Sequence, residues 1–236
     1  MENQKRVAFY TLGCKVNQYE TNGMIQMFIE NNYTVVDFSE IADIYIINTC
    51  TVTNMSDRKS RQVLRRAKEL NKEAIVVAVG CYAQVAKEEL EKYEEIDLVL
   101  GNNEKIDIIK NIEEYESLVT DVMYKKDFSE FGSITYTEKT RAVIKVQDGC
   151  DRFCSYCIIP YARGKVRSRL PENVIEEVKE ITKKGIKEIV LTGIHIASYG
   201  KDFENGYKLI DLLEDLEKVE NLERIRFRIF RANSYY

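Results

Sequence analysis

The chain has 236 residues, with 35 Lys plus Arg against 39 Asp plus Glu for a formal charge of −4, six Cys, a single His and no Trp. A composition of 44% hydrophobic and 31% charged residues is ordinary globular usage, which excludes disorder and collagen-like repeats, and no apolar run is long enough to cross a bilayer. The first residues pass from polar directly into a strand-like segment, without the basic region, apolar block and cleavage site of an export signal, so a cytoplasmic protein is expected.

In chain order, the apolar run Arg6 to Leu12 predicts a strand, followed by Gly13, Cys14 and a helix through NQYETNGMIQMFIENN. Strands are expected at Tyr33 to Phe38 and at Asp43 to Asn48, the second leading into Thr49 and Cys50. A helix from about Ser56 to Leu70 carries Val63, Leu64, Ala67 and Leu70 on one face and precedes a strand at Ala74 to Gly80, then Cys81. A helix near Gln84 to Lys92, the short strand DLVLG and a helix near Glu104 to Tyr115 complete a first domain over residues 1–117. Alternating helices and thoroughly apolar strands predict an open, mostly parallel α/β sheet.

Residues 118–139 lose this rhythm and are expected to be a linker with one irregular or short β piece, across which acidic sequence gives way to basic. Beyond it, over 140–236, come a strand at Ala142 to Gln147, a cysteine loop, a helix from Pro171 to Lys184 and a strand at Glu188 to Thr192. A helix near Leu209 to Val219 and a strand near Ile225 to Phe227 follow, making a second α/β domain.

A chain of this length can bury a core without disulfide staples, so the cysteines pose a question of chemistry. His195, the single imidazole, cannot build a two-histidine zinc site alone, and a Ser-His-Asp reading would rest entirely on it. Cys14, Cys50 and Cys81 each follow a predicted strand, so in a parallel sheet they lie on one edge, where open α/β sheets bind ligands. The competing reading is three unrelated buried thiols. Cys150, Cys154 and Cys157 form the loop G-C-D-R-F-C-S-Y-C. Three thiolates leave one iron of a 4Fe–4S cube open to another ligand, whereas structural zinc wants a fourth Cys or His, and none lies near in sequence. A redox dithiol at Cys154 and Cys157 would leave Cys150 unexplained.

The loop Cys150-x3-Cys154-x2-Cys157 after a strand resembles the signature of radical S-adenosylmethionine (SAM) enzymes. TLGCKVNQYET, NTCTVTNMSDRKSRQ and VGCYAQ resemble the three cysteine segments that two-cluster methylthiotransferases carry ahead of their radical SAM domain, and CDRFCSYCIIPYARGKVRSR resembles the loop of that second domain. Lys15 to Thr21, Val52 to Asn54 and LTGIHIASYG are most similar to the branch acting on threonylcarbamoyladenosine in tRNA. The resemblance implies a partial radical SAM (β/α) barrel after the amino-terminal sheet. It further implies two 4Fe–4S clusters, one on Cys150, Cys154 and Cys157 that cleaves SAM to a 5′-deoxyadenosyl radical, and one on Cys14, Cys50 and Cys81 that carries sulfur. The expected reaction places a methylthio group on carbon 2 of the adenine beside the anticodon, with an electron donor as a further partner and no membrane. Gly193 and His195, in TGIH, are expected near SAM; the other reading of His195 is an ordinary packing or loop residue.

Six cations on one helix, Arg58, Lys59, Arg61, Arg65, Arg66 and Lys68, and four after the cluster loop, Arg163, Lys165, Arg167 and Arg169, are expected to meet phosphates of a tRNA anticodon loop, against the usual solvated charged face. Tyr156 and Tyr161 are candidates for stacking on bases, although in a chain with 15 Tyr the commoner role of any one of them is packing. After Arg224-Ile225-Arg226-Phe227 the sequence RIFRANSYY departs from the family pattern, which is expected to reflect a truncation or a shifted reading frame. The alternative function is therefore a noncatalytic cluster- or RNA-binding fragment of such an enzyme. A zinc-stabilised α/β binding module is a third.

Overall fold

A computed structural model describes residues 4–136 and 140–227. The chain divides into two compact units, Met1–Val122 and Met123–Tyr236.

The first unit runs β1 (Arg6–Thr11), α1 (Lys15–Glu30), β2 (Thr34–Val36), β3 (Ile44–Thr49), α2 (Asn54–Leu70), β4 (Ile75–Gly80), α3 (Cys81–Val85), α4 (Lys87–Leu90), β5 (Leu98–Leu100), a 3₁₀ turn (Glu104–Asp107) and α5 (Ile108–Glu113). The five strands form one sheet in the order β2-β1-β3-β4-β5, and every pair is parallel. β3, IYIINT, is buried at all six positions, as a central strand covered on both faces must be. α2 starts where Thr53 accepts the Ser56 N–H over 3.2 Å, and it turns Val63, Leu64 and Ala67 into a core shared with Tyr45, Val76 and Ala78. Between α1 and the 3₁₀ turn, Lys105 and Glu20 form a buried ion pair at 2.5 Å.

The sequence predicts one helix near 84–92. Two short helices form instead because Ala86, at φ −133° and ψ 36°, leaves helical geometry; its carbonyl then accepts from Glu89 and Leu90 to begin the second. No helix or strand forms in 118–136. Its backbone is satisfied piecemeal: the Leu118 carbonyl accepts from Gly101 at 3.0 Å, and the Thr120 N–H donates to Glu104 at 3.1 Å. The expected short β piece is thus absent from the described residues.

The second unit comprises β6 (Ala142–Asp148), α6 (Ile159–Arg163), β7 (Arg167–Ser168), α7 (Pro171–Lys183), β8 (Glu188–Gly193), a 3₁₀ turn (Ile196–Ser198), α8 (Leu209–Leu216) and β9 (Arg224–Phe227). Its sheet order is β7-β6-β8-β9, with β6, β8 and β9 parallel and β7 antiparallel to β6. Proline opens α7, whose Val174, Val178 and Ile181 pack on Ile144, Val146 and Leu191 of the sheet. The β6–β8 register slips between Lys145 and Gln147, a bulge that re-aims the end of β6 just before the cysteine loop. This is an open α/β sheet, and no closed barrel exists among the described residues. Predicted boundaries here fall within a few residues of the observed ones, while α6 and β7 were not anticipated. The tail after Phe227 lies outside the described residues.

Candidate metal centres

All six cysteines are free thiols. Cys14, Cys50 and Cys81 follow β1, β3 and β4, three adjacent strands whose carboxyl ends share one edge. Register brings the three cysteine turns to one corner of the sheet. Thr49 pairs with Gly80, so Cys50 and Cys81 stand side by side, and the Leu12 N–H donates to the Asn48 carbonyl at 2.9 Å, carrying β1 into the same corner. At Gly13, φ is +95°, and a Cβ there would lie 2.8 Å from the Cys50 sulfur; only glycine lets the Cys14 loop come so close. Order 2-1-3-4-5 also places the topological switch point between β1 and β3, the expected ligand crevice of a doubly wound sheet. Burial pushes the Cys50 thiol up, and the neighbouring charges of Cys81 and Cys14 push the same way, so the three groups sense one another.

A polar scaffold that sequence reasoning did not single out holds these loops. Asn17 Nδ2 donates to the carbonyls of Leu12, at 2.8 Å, and Thr49, at 3.0 Å, tying the first two cysteine turns together. Asn48 Nδ2 donates to the Asn17 carbonyl and to Thr21 Oγ1, each at 3.0 Å. Thr49 Oγ1 donates to Val79 at 2.6 Å and accepts from Ala83 at 3.3 Å, which joins β3 to the Cys81 turn. Ser60 Oγ reaches the Cys50 carbonyl at 3.3 Å. The only available signal was that polar residues interrupt otherwise apolar strand ends.

Beside Cys81, the Tyr82 hydroxyl donates to Glu89 at 2.7 Å and accepts from Arg61. Burial and then the Glu89 hydrogen bond hold its phenol up, from the ordinary 10.0 to about 12. The folded state therefore favours the neutral ring; the stability this provides is complete below pH 10 and is lost as pH climbs through about 12. Alkaline unfolding monitored by circular dichroism should show Tyr82→Phe losing less stability than the parent across that window, and equal losses would refute the coupling.

In the second unit, Cys150, Cys154 and Cys157 occupy the loop between β6 and α6. Cys154 is exposed and the other two are half-buried. The Cys150 N–H donates to the Gly164 carbonyl at 3.0 Å and the Cys157 N–H to the Cys154 carbonyl at 2.9 Å, fixing both ends of the loop. Gln147 links the loop to the end of β8. Its Nε2 donates to the carbonyls of Asp148, at 2.6 Å, and Gly149, at 2.8 Å, while its Oε1 accepts the His195 N–H at 2.7 Å. Gly193 gives this side chain its space, since a Cβ would lie 2.9 Å from Gln147 Oε1. His195 is buried, and its Nδ1 is paired with Ser198 Oγ at 2.6 Å. Among the described residues no three His, Cys, Asp or Glu groups close around a single metal ion.

The cations divide differently from the sequence expectation. Arg163, Arg167 and Arg169 are buried, at 1%, 3% and 1% exposure, and do not form a surface patch. Asp148 Oδ2 lies 2.6 Å from Lys145, 3.4 Å from Arg163 and 3.7 Å from Arg167. Arg169 pairs with Glu130 at 2.8 Å and with Glu177. Of that group Lys165 alone is exposed. On α2, Arg61, Arg65 and Lys68 pair with Glu89, Glu95 and Asp97, whereas Arg58, Lys59 and Arg66 are exposed. Tyr156 and Tyr161 are exposed at 86% and 60%, and Tyr161 meets Phe153 edge-on at 6.0 Å.

Comparison with known proteins agrees with this division. Residues 6–101 match the family described as "Uncharacterized protein family UPF0004", and residues 144–231 match the radical SAM superfamily. The chain therefore carries a radical SAM domain behind a UPF0004 domain, and the superfamily implies SAM and a 4Fe–4S cluster. It is 48% identical to the threonylcarbamoyladenosine tRNA methylthiotransferase MtaB of Aquifex aeolicus, over 94% of this chain and 55% of that protein. Its identity to the Bacillus subtilis protein of the same name is 43%, over 96% and 52%. With the tRNA-2-methylthio-N(6)-dimethylallyladenosine synthase of Desulforamulus reducens it shares 34%, over 96% and 52%. By sequence the chain is similar to radical SAM methylthiotransferases, the MtaB proteins among them. It spans about half the length of these relatives. In fold it resembles the radical SAM methyltransferase TsrM of Kitasatospora setae, with a TM-score of 0.59 at 15% identity, over 90% of this chain and 51% of that one. No helix is long and apolar enough to cross a membrane among the described residues.

Proposed function

We propose that the protein acts in tRNA methylthiolation, placing a methylthio group on carbon 2 of threonylcarbamoyladenosine beside the anticodon, with two 4Fe–4S clusters and SAM. The convergence of Cys14, Cys50 and Cys81 at three neighbouring strand ends carries this reading, because a radical SAM domain alone has no use for a second triad. When bound, the clusters and SAM supply the one-electron chemistry and the sulfur, which no side chain here can provide.

The chain's own residues bind and orient. Cys150, Cys154 and Cys157 hold one cluster and leave one iron for SAM; Cys14, Cys50 and Cys81 hold the other. Gly193 and the His195 backbone shape the SAM side of the cysteine loop through Gln147, and the Ser198 partner fixes the imidazole. Arg58, Lys59 and Arg66 on α2, with Lys165, offer phosphate contacts to the anticodon loop, and exposed Tyr156 and Tyr161 offer stacking faces. An external electron donor completes the system.

The test is anaerobic reconstitution with iron and sulfide, followed by 5′-deoxyadenosine measurement with and without tRNA bearing threonylcarbamoyladenosine. Expected are two clusters per chain, each lost separately when one triad is changed to alanine, and nucleoside product that depends on the tRNA. Clusters without tRNA-dependent product would favour the noncatalytic fragment. Bound zinc and no iron would favour the binding module.

A further inference from the structure

The loop after β5 reaches back to the first thiol triad. Asn102, at 9% exposure, directs its side-chain amide at Cys81, with Nδ2 donating to the sulfur over 3.8 Å. Its position is fixed from several sides. The Asn102 N–H donates at 2.8 Å to Oε1 of Gln84, which lies on α3 with Cys81, and Gln84 Nε2 donates to the Thr120 carbonyl at 2.8 Å. Gly101 keeps the loop against the helix, since a Cβ there would meet Gln84 Oε1 at 2.5 Å. Buried Glu104 accepts from the Thr120 N–H at 3.1 Å and from its hydroxyl at 2.5 Å. The donor aimed at the sulfur is therefore held by its surroundings and need not reorganise.

We propose that Asn102 is a positioning residue of the Cys14, Cys50 and Cys81 site, and that its hydrogen bond to the Cys81 sulfur raises the reduction potential of the cluster held there. The inference rests on the proposed cluster site. A reduced cluster places more negative charge on its sulfurs than an oxidised one, and a fixed N–H dipole in a buried setting stabilises the more negative state.

The experiment uses the full chain with Cys150, Cys154 and Cys157 changed to alanine, so that iron can enter the first triad alone, reconstituted anaerobically with iron and sulfide. Iron per chain and midpoint potential, the latter from an electron paramagnetic resonance redox titration, are compared for this parent and for its Asn102→Ala and Asn102→Asp forms. Both variants should keep their iron and titrate at more negative potential, with the oxidised-to-reduced ratio at the parent's midpoint rising about fivefold for Asn102→Ala, the scale of one ordinary hydrogen bond. Retained iron with an unchanged potential would overturn the inference and leave the cluster site standing. Loss of iron in both variants would also overturn it, making Asn102 a support of the loop only. A parent that binds no iron would bring down the site itself, and the inference with it.

Discussion

Gly149→Ala should empty the Cys150, Cys154 and Cys157 loop of iron. Gly149 sits at φ +70°, and a Cβ there would collide with the Lys165 carbonyl oxygen and lie 2.7 Å from that of Gly164. Both are backbone atoms, so no side-chain rotation can make room, and the Gly164 carbonyl is the one that anchors the Cys150 N–H. The loop must shift, and with it the first cysteine. Outer contacts of metal ligands typically command ~10–100-fold in affinity. Iron retention should fall by at least that much in a chain whose first triad is changed to alanine. Gly132→Ala is the control: φ there is +74° but nothing lies within 4 Å, so the substitution should cost about 1–2 kcal/mol of backbone strain and leave iron unchanged. Equal iron retention in the two variants would sink the argument.

Asp148→Asn should destabilise the second unit by about 3–5 kcal/mol, the typical cost of leaving buried charge uncompensated. One carboxylate oxygen answers three cations, Lys145, Arg163 and Arg167, all nearly excluded from water. The other oxygen accepts the Gly149 N–H at 2.9 Å, so the network also holds the first turn of the cysteine loop. The amide keeps the shape and removes the charge, which separates electrostatics from packing. Denaturant unfolding of the full chain measures the effect, and a change below about 1 kcal/mol, the scale of a surface pair, would show that the cations find other partners.

What the sequence made legible, and what it hid, follows from how far each feature reaches along the chain. The strands of the first unit are continuous apolar runs, and the rule that ligands gather at carboxyl strand ends located Cys14, Cys50 and Cys81 before any coordinates. The spacing of Cys150, Cys154 and Cys157 is local and was equally plain. The fate of Arg163, Arg167 and Arg169 was hidden, because a dense run of cations reads as surface when its counter-charges are dispersed over Glu130, Asp148 and Glu177. Gln147 was invisible for a similar reason: it matters by joining β6 to His195, 48 residues away. The helix break at Ala86 had no breaker residue to announce it.

The two triads differ in how they come into being. Cys150, Cys154 and Cys157 fall within one short loop, so even an unstructured chain keeps them within reach of a single metal centre at small entropic cost. Cys14, Cys50 and Cys81 are delivered by three separate strands, and they meet only after the parallel sheet has been laid down in register. If that corner holds the proposed cluster, its iron affinity is coupled to the folding free energy of the first unit, and a lesion that loosens the sheet, however distant from sulfur, should show as lost metal.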